Sequence, residues 1–243
     1  MANYTPNDAL TIVKEFIKNP PIAAVDEFLV DMVHSEIWTA YPWRWTLDFL
    51  TPVALVDGTQ DYAWTDLDFY RPIELWITRT DTTPDEYQPL RIIEFHPPEL
   101  NIKLGFRSLQ TISLEEELSK FRFETAVGIA SGVTLRLDGK FQKTPTKIDT
   151  AALATSLIQP DYYFNVFWNG LLYYFYKFSD DSRAGNMTVD GRGNRQYTGQ
   201  LGMYMGLLGK MMREEDSRGG TAVVFPDEPL GAGLATSYGI FGG

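Results

Sequence analysis

The residues best suited to chemistry in this sequence are two histidines and two groups of clustered carboxylates. His34 falls at the edge of the apolar stripe of a predicted helix, and His96 precedes two prolines. A histidine in either position is usually a surface residue or a hydrogen-bonded core residue and not a catalytic one. The chain has no cysteine, so a zinc site would need carboxylates beside these histidines. No spacing joins a nucleophile, a base and an orienting group, so we expect no catalytic residue.

The clustered carboxylates resemble metal ligands, but simpler interpretations fit them better. Asp57, Thr59 and Asp61 match part of a calcium-binding loop, although Gly58 and the missing distal glutamate break its pattern. The glutamate run at 115–117 is typical of a solvated edge. The sequence also lacks the phosphate-loop, dinucleotide-binding and serine-nucleophile motifs. We therefore expect no metal and no cofactor, and a structural or assembly protein rather than an enzyme.

The charge of the chain limits its partners. It has 32 acidic and 21 basic residues and a net charge of −11, the opposite of the basic footprint of a DNA-binding domain. An acidic surface either aids solubility or repels nucleic acid, as in a conduit through which DNA slides. No apolar run reaches the ~18 residues of a membrane span, and the N-terminus lacks the features of a leader. We expect a soluble protein made in a cytoplasm, without a membrane partner.

The N-terminal region predicts a helical hairpin. Thr5 is a capping residue, Pro6 occupies the first helical position, and Asp8 adds an acid to the first turn. The prolines at 20–21 end this helix, because a proline disfavours helical geometry in the residue before it. A second amphipathic helix is expected over residues 22–39.

The pattern then changes to short strands separated by turn residues. A strand at 53–55, the Asp57-Gly58 pair and a returning strand at 62–64 predict a hairpin. Pro72 is expected at the first residue of a third strand, and Asp138-Gly139 predicts a second hairpin. Further strands are expected at 90–93, 106–112, 121–127 and 133–137, whereas 113–120 fits either a helical turn or a bulged strand. The spacing indicates a small antiparallel sandwich or curled sheet.

Helices return near Pro160. The segment 161–178 is apolar or aromatic on nearly every side, so we expect it to be buried all round, with neighbouring subunits contributing to that burial. A polar loop follows at 180–197, and a fourth helix is expected over 198–215.

The fourth helix carries four glycines on one face. They are Gly199, Gly202, Gly206 and Gly209. Each costs about 0.8–1 kcal/mol of helix propensity relative to alanine, so a compensating interaction is needed. The alternatives are a frayed helix end and a close approach by another helix, and we favour the close approach.

The C-terminal segment 218–243 reads as an extended arm that becomes ordered on a partner. It is rich in glycine but keeps apolar residues that a flexible linker would lack. The candidate partner-binding residues are Val223, Val224, Phe225, Pro226, Leu230, Tyr238 and Phe241. Val223-Val224-Phe225 is suited to strand addition at a sheet edge, and Pro226 would end that strand.

The order of these segments resembles the head-to-tail adaptor (connector) proteins of tailed bacteriophages, the group that includes tail tubular protein A. The likeness rests on Tyr41-Pro42-Trp43-Arg44-Trp45, the acidic-aromatic step Asp68-Phe69-Tyr70-Arg71-Pro72, the helix that begins at Pro160-Asp161, and the closing Arg213-Glu214-Glu215-Asp216.

The resemblance implies an α+β fold in which residues 5–45 and 155–217 form a helical bundle and 46–150 form an antiparallel β-sandwich-like lobe. It also implies a homo-oligomeric ring, a dodecamer when docked on the portal protein, that carries the tail tube or nozzle protein. Double-stranded DNA would pass through this ring without specific binding. The expected location is the virion head-tail junction, with the host cytoplasm as the site of assembly.

Two other classes stay open. One is a β-rich binding module of a phage tail or receptor-binding apparatus, which exposed aromatic residues on the β-lobe would favour. The other is a carboxylate-based hydrolase, which would need two close carboxylates in a cleft.

Overall fold

The computed structural model describes residues 4–17, 23–66, 68–93, 111–115, 120–123, 126–155, 157 and 159–219. The fold is mixed α+β, as the sequence predicts. The helices are α1 (Pro6–Glu15), α2 (Ala23–Ala40), α3 (Phe164–Phe178) and α4 (Gly199–Gly219). The strands are β1 (Leu47–Phe49), β2 (Val53–Ala54), β3 (Asp61–Ala63), β4 (Phe69–Arg79), β5 (Glu86–Ile93), β6 (Thr111–Glu115), β7 (Lys120–Phe123), β8 (Leu135–Lys143), β9 (Met187–Val189) and β10 (Arg195–Tyr197).

The described chain divides into two compact units. Thr46–Thr144 forms the β unit, and the described residues before and after it form the helical unit. In the part of the chain that the structure describes, no helix is both long and apolar enough to cross a membrane.

The predicted start of α1 is confirmed. The Thr5 hydroxyl accepts a hydrogen bond from the Asp8 N–H at 3.3 Å, and the Thr5 N–H donates to the Asp8 carboxylate at 2.7 Å. This reciprocal capping box satisfies amide groups that have no partner inside the helix. The prolines at 20–21 lie outside the described residues. The second helix, Ala23–Ala40, lies within one residue of its predicted bounds.

The helical unit has its core around α3, which packs against α1, α2 and α4. The buried residues of α3 are Phe164, Val166, Phe167, Asn169, Gly170, Leu171, Leu172, Tyr173, Phe175 and Tyr176. The burial predicted from its composition is therefore confirmed for most of α3, whereas Asn165, Lys177 and Phe178 are exposed. Three helices of the same chain cover most of α3, and a contribution of neighbouring subunits to the burial of its exposed residues stays a prediction.

The β unit contains one curled sheet. Its strand order is β1-β8-β4-β5-β6-β7-β3, with β2 also paired to β8, and neighbours are antiparallel except for the parallel β5–β6 pair. Both β1 and β2 pair with β8 on the side opposite β4, so β2 lies at the same end of the sheet as β1. In a flat sheet this end would lie about 29 Å from β3 at the other end. The connection from β2 to β3 spans about 25 Å at most, so the sheet must curl to bring its two ends together.

The hairpin predicted at Asp57-Gly58 is wrong. Gly58 does turn the chain, with a φ of +74°. However, β2 pairs with β8 and β3 pairs with β7, so the turn joins the two ends of the curled sheet instead of two adjacent strands. The local turn signal was correct, but partner choice depends on the whole sheet.

The second predicted hairpin, at Asp138-Gly139, is also wrong, because β8 runs straight through this pair. A Cβ atom on Gly139 would lie 2.7 Å from the Glu74 carbonyl oxygen of β4, so glycine is needed here for close approach. Asp138 is buried and accepts hydrogen bonds from the Thr78 hydroxyl and from Arg136 Nε. Gly139 therefore allows β8 and β4 to pack closely, and Asp138 forms hydrogen bonds with side chains of the same two strands.

Pro72 was predicted at the first residue of a strand, but it lies inside β4. The register of β4 against β8 shifts between Pro72 and Glu74, and such an irregularity accommodates a residue without an amide hydrogen. The predicted strand at 106–112 falls almost wholly outside the described residues. Within 113–120, the described residues at both ends are in strands, and 116–119 lie outside the description.

Candidate functional site

The most specific side-chain site in the helical unit joins the end of α2 to the end of α4. This α2–α4 junction consists of Tyr41, Trp43, Arg44, Glu215 and Asp216. The Tyr41 hydroxyl donates to Asp216 Oδ1, and the Arg44 N–H donates to Glu215 Oε1 at 3.2 Å. Arg44 Nε lies 3.4 Å from that same oxygen. Burial and the Asp216 carboxylate raise the pKa of Tyr41, which keeps its hydroxyl protonated as a donor.

The tryptophans beside this junction extend it into the core. Trp43 is fully buried and its indole N–H donates to the Ile37 carbonyl at 2.5 Å, which fixes the turn after α2. The Trp43 ring stacks on Trp45 at 5.1 Å, and Trp45 contacts Tyr163 at 5.9 Å, just before α3. Aromatic pairs of this kind stabilise packing beyond their buried area.

Removing the buried acid of the junction should destabilise the helical unit. Glu215 is buried, and Glu215→Ala would leave the Arg44 amide and guanidinium without this acceptor. We expect a loss of about 2 kcal/mol in the free energy of unfolding, measured by urea denaturation. Glu214→Ala, one residue earlier and paired at the surface with Lys210, is the matched control and should change stability by less than about 0.5 kcal/mol. Equal effects of the two substitutions would contradict the anchoring role of Glu215.

A second polar group lies between the helices. The Tyr174 hydroxyl of α3 donates to the Glu36 carboxylate of α2 at 2.9 Å. Burial raises the pKa of Glu36, and burial with the nearby Glu36 charge raises the pKa of Tyr204 on α4. The Tyr174–Glu36 hydrogen bond joins α2 and α3 within the core.

The predicted glycine face of α4 contacts a hairpin and solvent within the described chain. A Cβ atom on Gly199 would lie 2.7 Å from Gly185 Cα, and one on Gly202 would lie 2.9 Å from the Tyr197 carbonyl oxygen. Gly206 faces open space, whereas Gly209 is buried. A close approach of another helix to this face stays a prediction.

Among the described residues, Gly170 in the middle of α3 is a glycine that permits close helix packing. A Cβ atom there would lie 2.8 Å from both Tyr204 Cε2 of α4 and Val33 Cγ1 of α2. Sequence reasoning missed this residue. Its signal was a single glycine inside an otherwise aromatic helix, where only a packing requirement would retain it.

The predicted polar loop at 180–197 contains a small hairpin formed by β9 and β10. Asp190 shapes its turn by accepting hydrogen bonds from the N–H groups of Arg192 at 2.8 Å and Asn194 at 2.9 Å. Met187 and Val189 are exposed on β9. Because an isolated two-stranded ribbon is marginally stable, this hairpin is a candidate contact element.

Of the other residues that the sequence analysis singled out, the structure describes some and leaves others outside the described ranges. His34 is buried, and this burial lowers its pKa to about 4 against the opposing effect of Asp31. His96 and the arm residues Val223, Val224, Phe225, Pro226, Leu230, Tyr238 and Phe241 lie outside the described residues. Within the described ranges, no three His, Asp or Glu side chains are grouped to hold a metal ion. No protein-family model matches this sequence, and its comparison with curated proteins finds no match.

Proposed function

We propose that the protein is a head-tail adaptor of a tailed bacteriophage. In this role it forms a ring on the portal protein at the virion head-tail junction. The ring continues the DNA channel and provides a platform for the tail tube or nozzle protein. It is assembled in the host cytoplasm and has no catalytic activity.

The α2–α4 junction is the observation that carries the proposal. The resemblance to adaptors rests in part on Tyr41-Pro42-Trp43-Arg44-Trp45 and on Arg213-Glu214-Glu215-Asp216. These two segments form one hydrogen-bonded contact, although Arg44 and Glu215 are 171 residues apart in sequence. In the proposal, the four helices correspond to the bundle of the adaptors and the curled sheet corresponds to their sandwich-like lobe.

The surface of the helical unit supports assembly. Phe28 and Phe178 are 56% and 57% exposed, and their rings contact each other edge to face at 6.3 Å. Phe16 is also exposed and stacks on Trp168. Exposed aromatic groups with apolar neighbours are typical of protein interaction sites. In the proposal, these aromatics and the β9–β10 hairpin contact the next subunit or the portal.

Native mass spectrometry and electron microscopy of the protein with its phage's portal protein would test this function. We expect a ring, dodecameric on the portal. The variant Phe28→Ser with Phe178→Ser should keep its circular dichroism spectrum and lose assembly. The control Tyr87→Ser removes an aromatic that is 64% exposed on the β unit and should assemble normally. A wild-type protein that stays monomeric with the portal present would contradict the proposal.

The free protein should have negligible affinity for duplex DNA at moderate salt. A channel that lets DNA slide must avoid strong phosphate contacts, and the net charge of −11 opposes them. Fluorescence anisotropy with a labelled duplex at several salt concentrations would measure this. Tight binding at moderate salt would contradict the conduit role and favour a nucleic-acid-binding function.

Deleting residues 220–243 should weaken docking on the portal while leaving the melting transition nearly unchanged. The residues of the described core all precede this segment, so we expect the core to form without it. The proposed arm supplies apolar contacts and a strand for addition to a partner. Surface plasmon resonance on immobilised portal would compare the two forms. Docking of equal strength would show that the arm is not a binding element.

The β unit favours one alternative, a binding module of the tail or receptor-binding apparatus. Phe49, Tyr70 and Tyr87 are exposed there, although Lys140 and Arg71 lie over the first two rings at 5.9 and 5.7 Å. A binding module would retain receptor or glycan binding as a monomer and lose it on Tyr87→Ala. An adaptor would lose neither assembly nor docking with that substitution.

A further inference from the structure

The β9–β10 hairpin is an ordered element whose first strand no described residue covers. At its base, the Thr198 N–H donates to the Asn186 carbonyl at 3.0 Å, and the Asn186 N–H donates to the Thr198 hydroxyl at 3.0 Å. At its turn, the Asp190 carboxylate also accepts a hydrogen bond from Asn194 Nδ2 at 3.0 Å. All three residues of β9 are nevertheless exposed. The hairpin is therefore held in shape by its own hydrogen bonds, while β9 stays open to a partner.

The outer edge of β9 has backbone groups available for a further strand. Asn186 and Thr198 form a hydrogen-bonded pair at the base of the hairpin. Hydrogen-bonded and non-hydrogen-bonded pairs alternate along an antiparallel ladder, so the N–H and C=O groups of Met187 and Val189 point away from β10. An unpaired strand edge of this kind is a template for strand addition.

The side chains along this edge form an apolar face. Met187 is 50% exposed and Val189 is 57% exposed. Tyr197 pairs with Met187 and therefore lies on the same face of the hairpin. A strand that adds to β9 would cover Met187 and Val189 if it carried apolar residues at alternate positions.

The hairpin is also basic, in a chain with a net charge of −11. Arg192 lies in the exposed turn, and Arg195 follows on β10, opposite Val189. Neither guanidinium group forms an ion pair with a described residue. Complementary charge favours one partner over others, so we expect the partner of this edge to combine an apolar strand with acidic residues.

One segment of this chain outside the described residues has that composition. Residues 220–243 contain Asp227 and Glu228 and no lysine or arginine. Just before these acids, Val223-Val224-Phe225 is a run of three β-forming residues, which equals the length of β9. Side chains alternate along a strand, so Val223 and Phe225 would share one face and extend the apolar face of the hairpin.

The charges select the direction of this segment on β9. A parallel run with Phe225 opposite Val189 would bring Asp227, two residues later, to the turn that holds Arg192. An antiparallel run would place Asp227 at the base of the hairpin instead. Parallel pairing is slightly less stable per residue, and an exposed ion pair of up to about 1 kcal/mol offsets that difference over three residues.

The length of α4 favours the segment of a neighbouring copy. The hairpin precedes the start of α4, whereas the segment follows its end at Gly219. A helix of 21 residues spans about 30 Å, but the connection from Gly219 to Val223 spans about 14 Å at most. Within one chain this connection would have to run fully extended back along α4. The segment of a second copy is free of that constraint.

We propose that residues 223–225 of one copy add as a third strand to the β9 edge of the next copy, with Asp227 beside Arg192. Such a head-to-tail contact joins two different surfaces and can repeat around a closed ring. The proposal names one contact of the ring in the proposed function and rests on that function for its place in the virion. The contact itself is measurable between copies of the protein alone.

Disulfide cross-linking of the full-length protein tests this contact, because the chain has no cysteine of its own. Val189→Cys protein is mixed with Phe225→Cys protein and oxidised, with and without the portal protein. We expect the mixed dimer to form at least about tenfold faster than either variant's own dimer, since docked strands hold the two thiols at an effective concentration of about millimolar. Thr188→Cys, mixed with Phe225→Cys, is the matched control and should react slowly because Thr188 lies on the opposite face of β9.

Reversal of two charges tests the direction of the added strand. Arg192→Glu in the Val189→Cys protein should slow cross-linking about threefold, as expected for an exposed ion pair. Asp227→Arg in the Phe225→Cys partner should then restore the rate. A rate that is not restored would overturn the parallel arrangement.

The outcomes separate this contact from the adaptor role. A mixed dimer that forms no faster than the two self-dimers or the Thr188→Cys control would overturn the proposal. A disulfide that forms only within single chains carrying both Val189→Cys and Phe225→Cys would overturn it as well. A ring on the portal without the cross-link would reject the contact and leave the adaptor role standing. The cross-link without a ring on the portal would support the contact and contradict the adaptor role.

Discussion

Replacing Gly170 with leucine is expected to unfold the helical unit. A Cβ atom at this position would lie 2.8 Å from Val33 and from Tyr204, both of which are buried in the same core. The larger side chain must push two helices away from α3, because the core has no space to receive it. We expect a loss of about 3 kcal/mol or more in the free energy of unfolding, measured by urea denaturation with circular dichroism.

Gly206→Leu is the matched control for this substitution. Gly206 is also a glycine inside a helix, but its Cβ position faces open space. Leucine there should stabilise the free protein by up to about 0.8 kcal/mol through helix propensity. Equal destabilisation by the two substitutions would contradict the close-packing role of Gly170. A Gly206→Leu protein that folds but fails to form a ring would instead support contact between the glycine face and another copy.

Acidification from pH 6.5 to pH 4 should destabilise the protein through His34. Burial lowers the pKa of this histidine from 6.5 to about 4 in the folded state. Between these two values the unfolded chain binds a proton that the folded protein excludes, so stability falls as the pH falls. The neutral His34 side chain therefore costs no stability above pH 6.5, and the loss of stability on acidification levels off below pH 4. The complete loss is about 3 kcal/mol in the free energy of unfolding.

The variant His34→Met removes this titration while keeping an apolar side chain of similar size in the core. The difference in unfolding free energy between the wild type and this variant should therefore change between pH 7 and pH 4. Glu36 acts in the opposite direction, because its raised pKa makes the folded state the better proton acceptor, but it is present in both proteins. A difference that is constant across this pH range would show that His34 does not titrate as a buried neutral group.

The sequence was most informative where a local interaction decides the structure. The start of α1 was predictable from Thr5, Pro6 and Asp8, because a capping box needs only residues within one turn. The burial of most of α3 followed from its composition. The tight turn at Gly58 was also predictable. Such a turn involves only a few neighbouring residues, and glycine adopts the positive φ that it requires.

Strand pairing and close approaches were decided only by the tertiary structure. Asp57-Gly58 and Asp138-Gly139 are the same dipeptide, yet one turns the chain and the other lies inside β8. Their difference comes from residues far along the chain, such as Glu74 of β4, whose backbone leaves no room for a side chain at Gly139. The contact between Arg44 and Glu215 and the packing around Gly170 have the same origin. By itself, the sequence determined the four helices, the start of α1 and the α+β class through short-range forces. Which distant segments meet was decided by the three-dimensional packing, because that choice minimises the free energy of the whole core and not of any local segment.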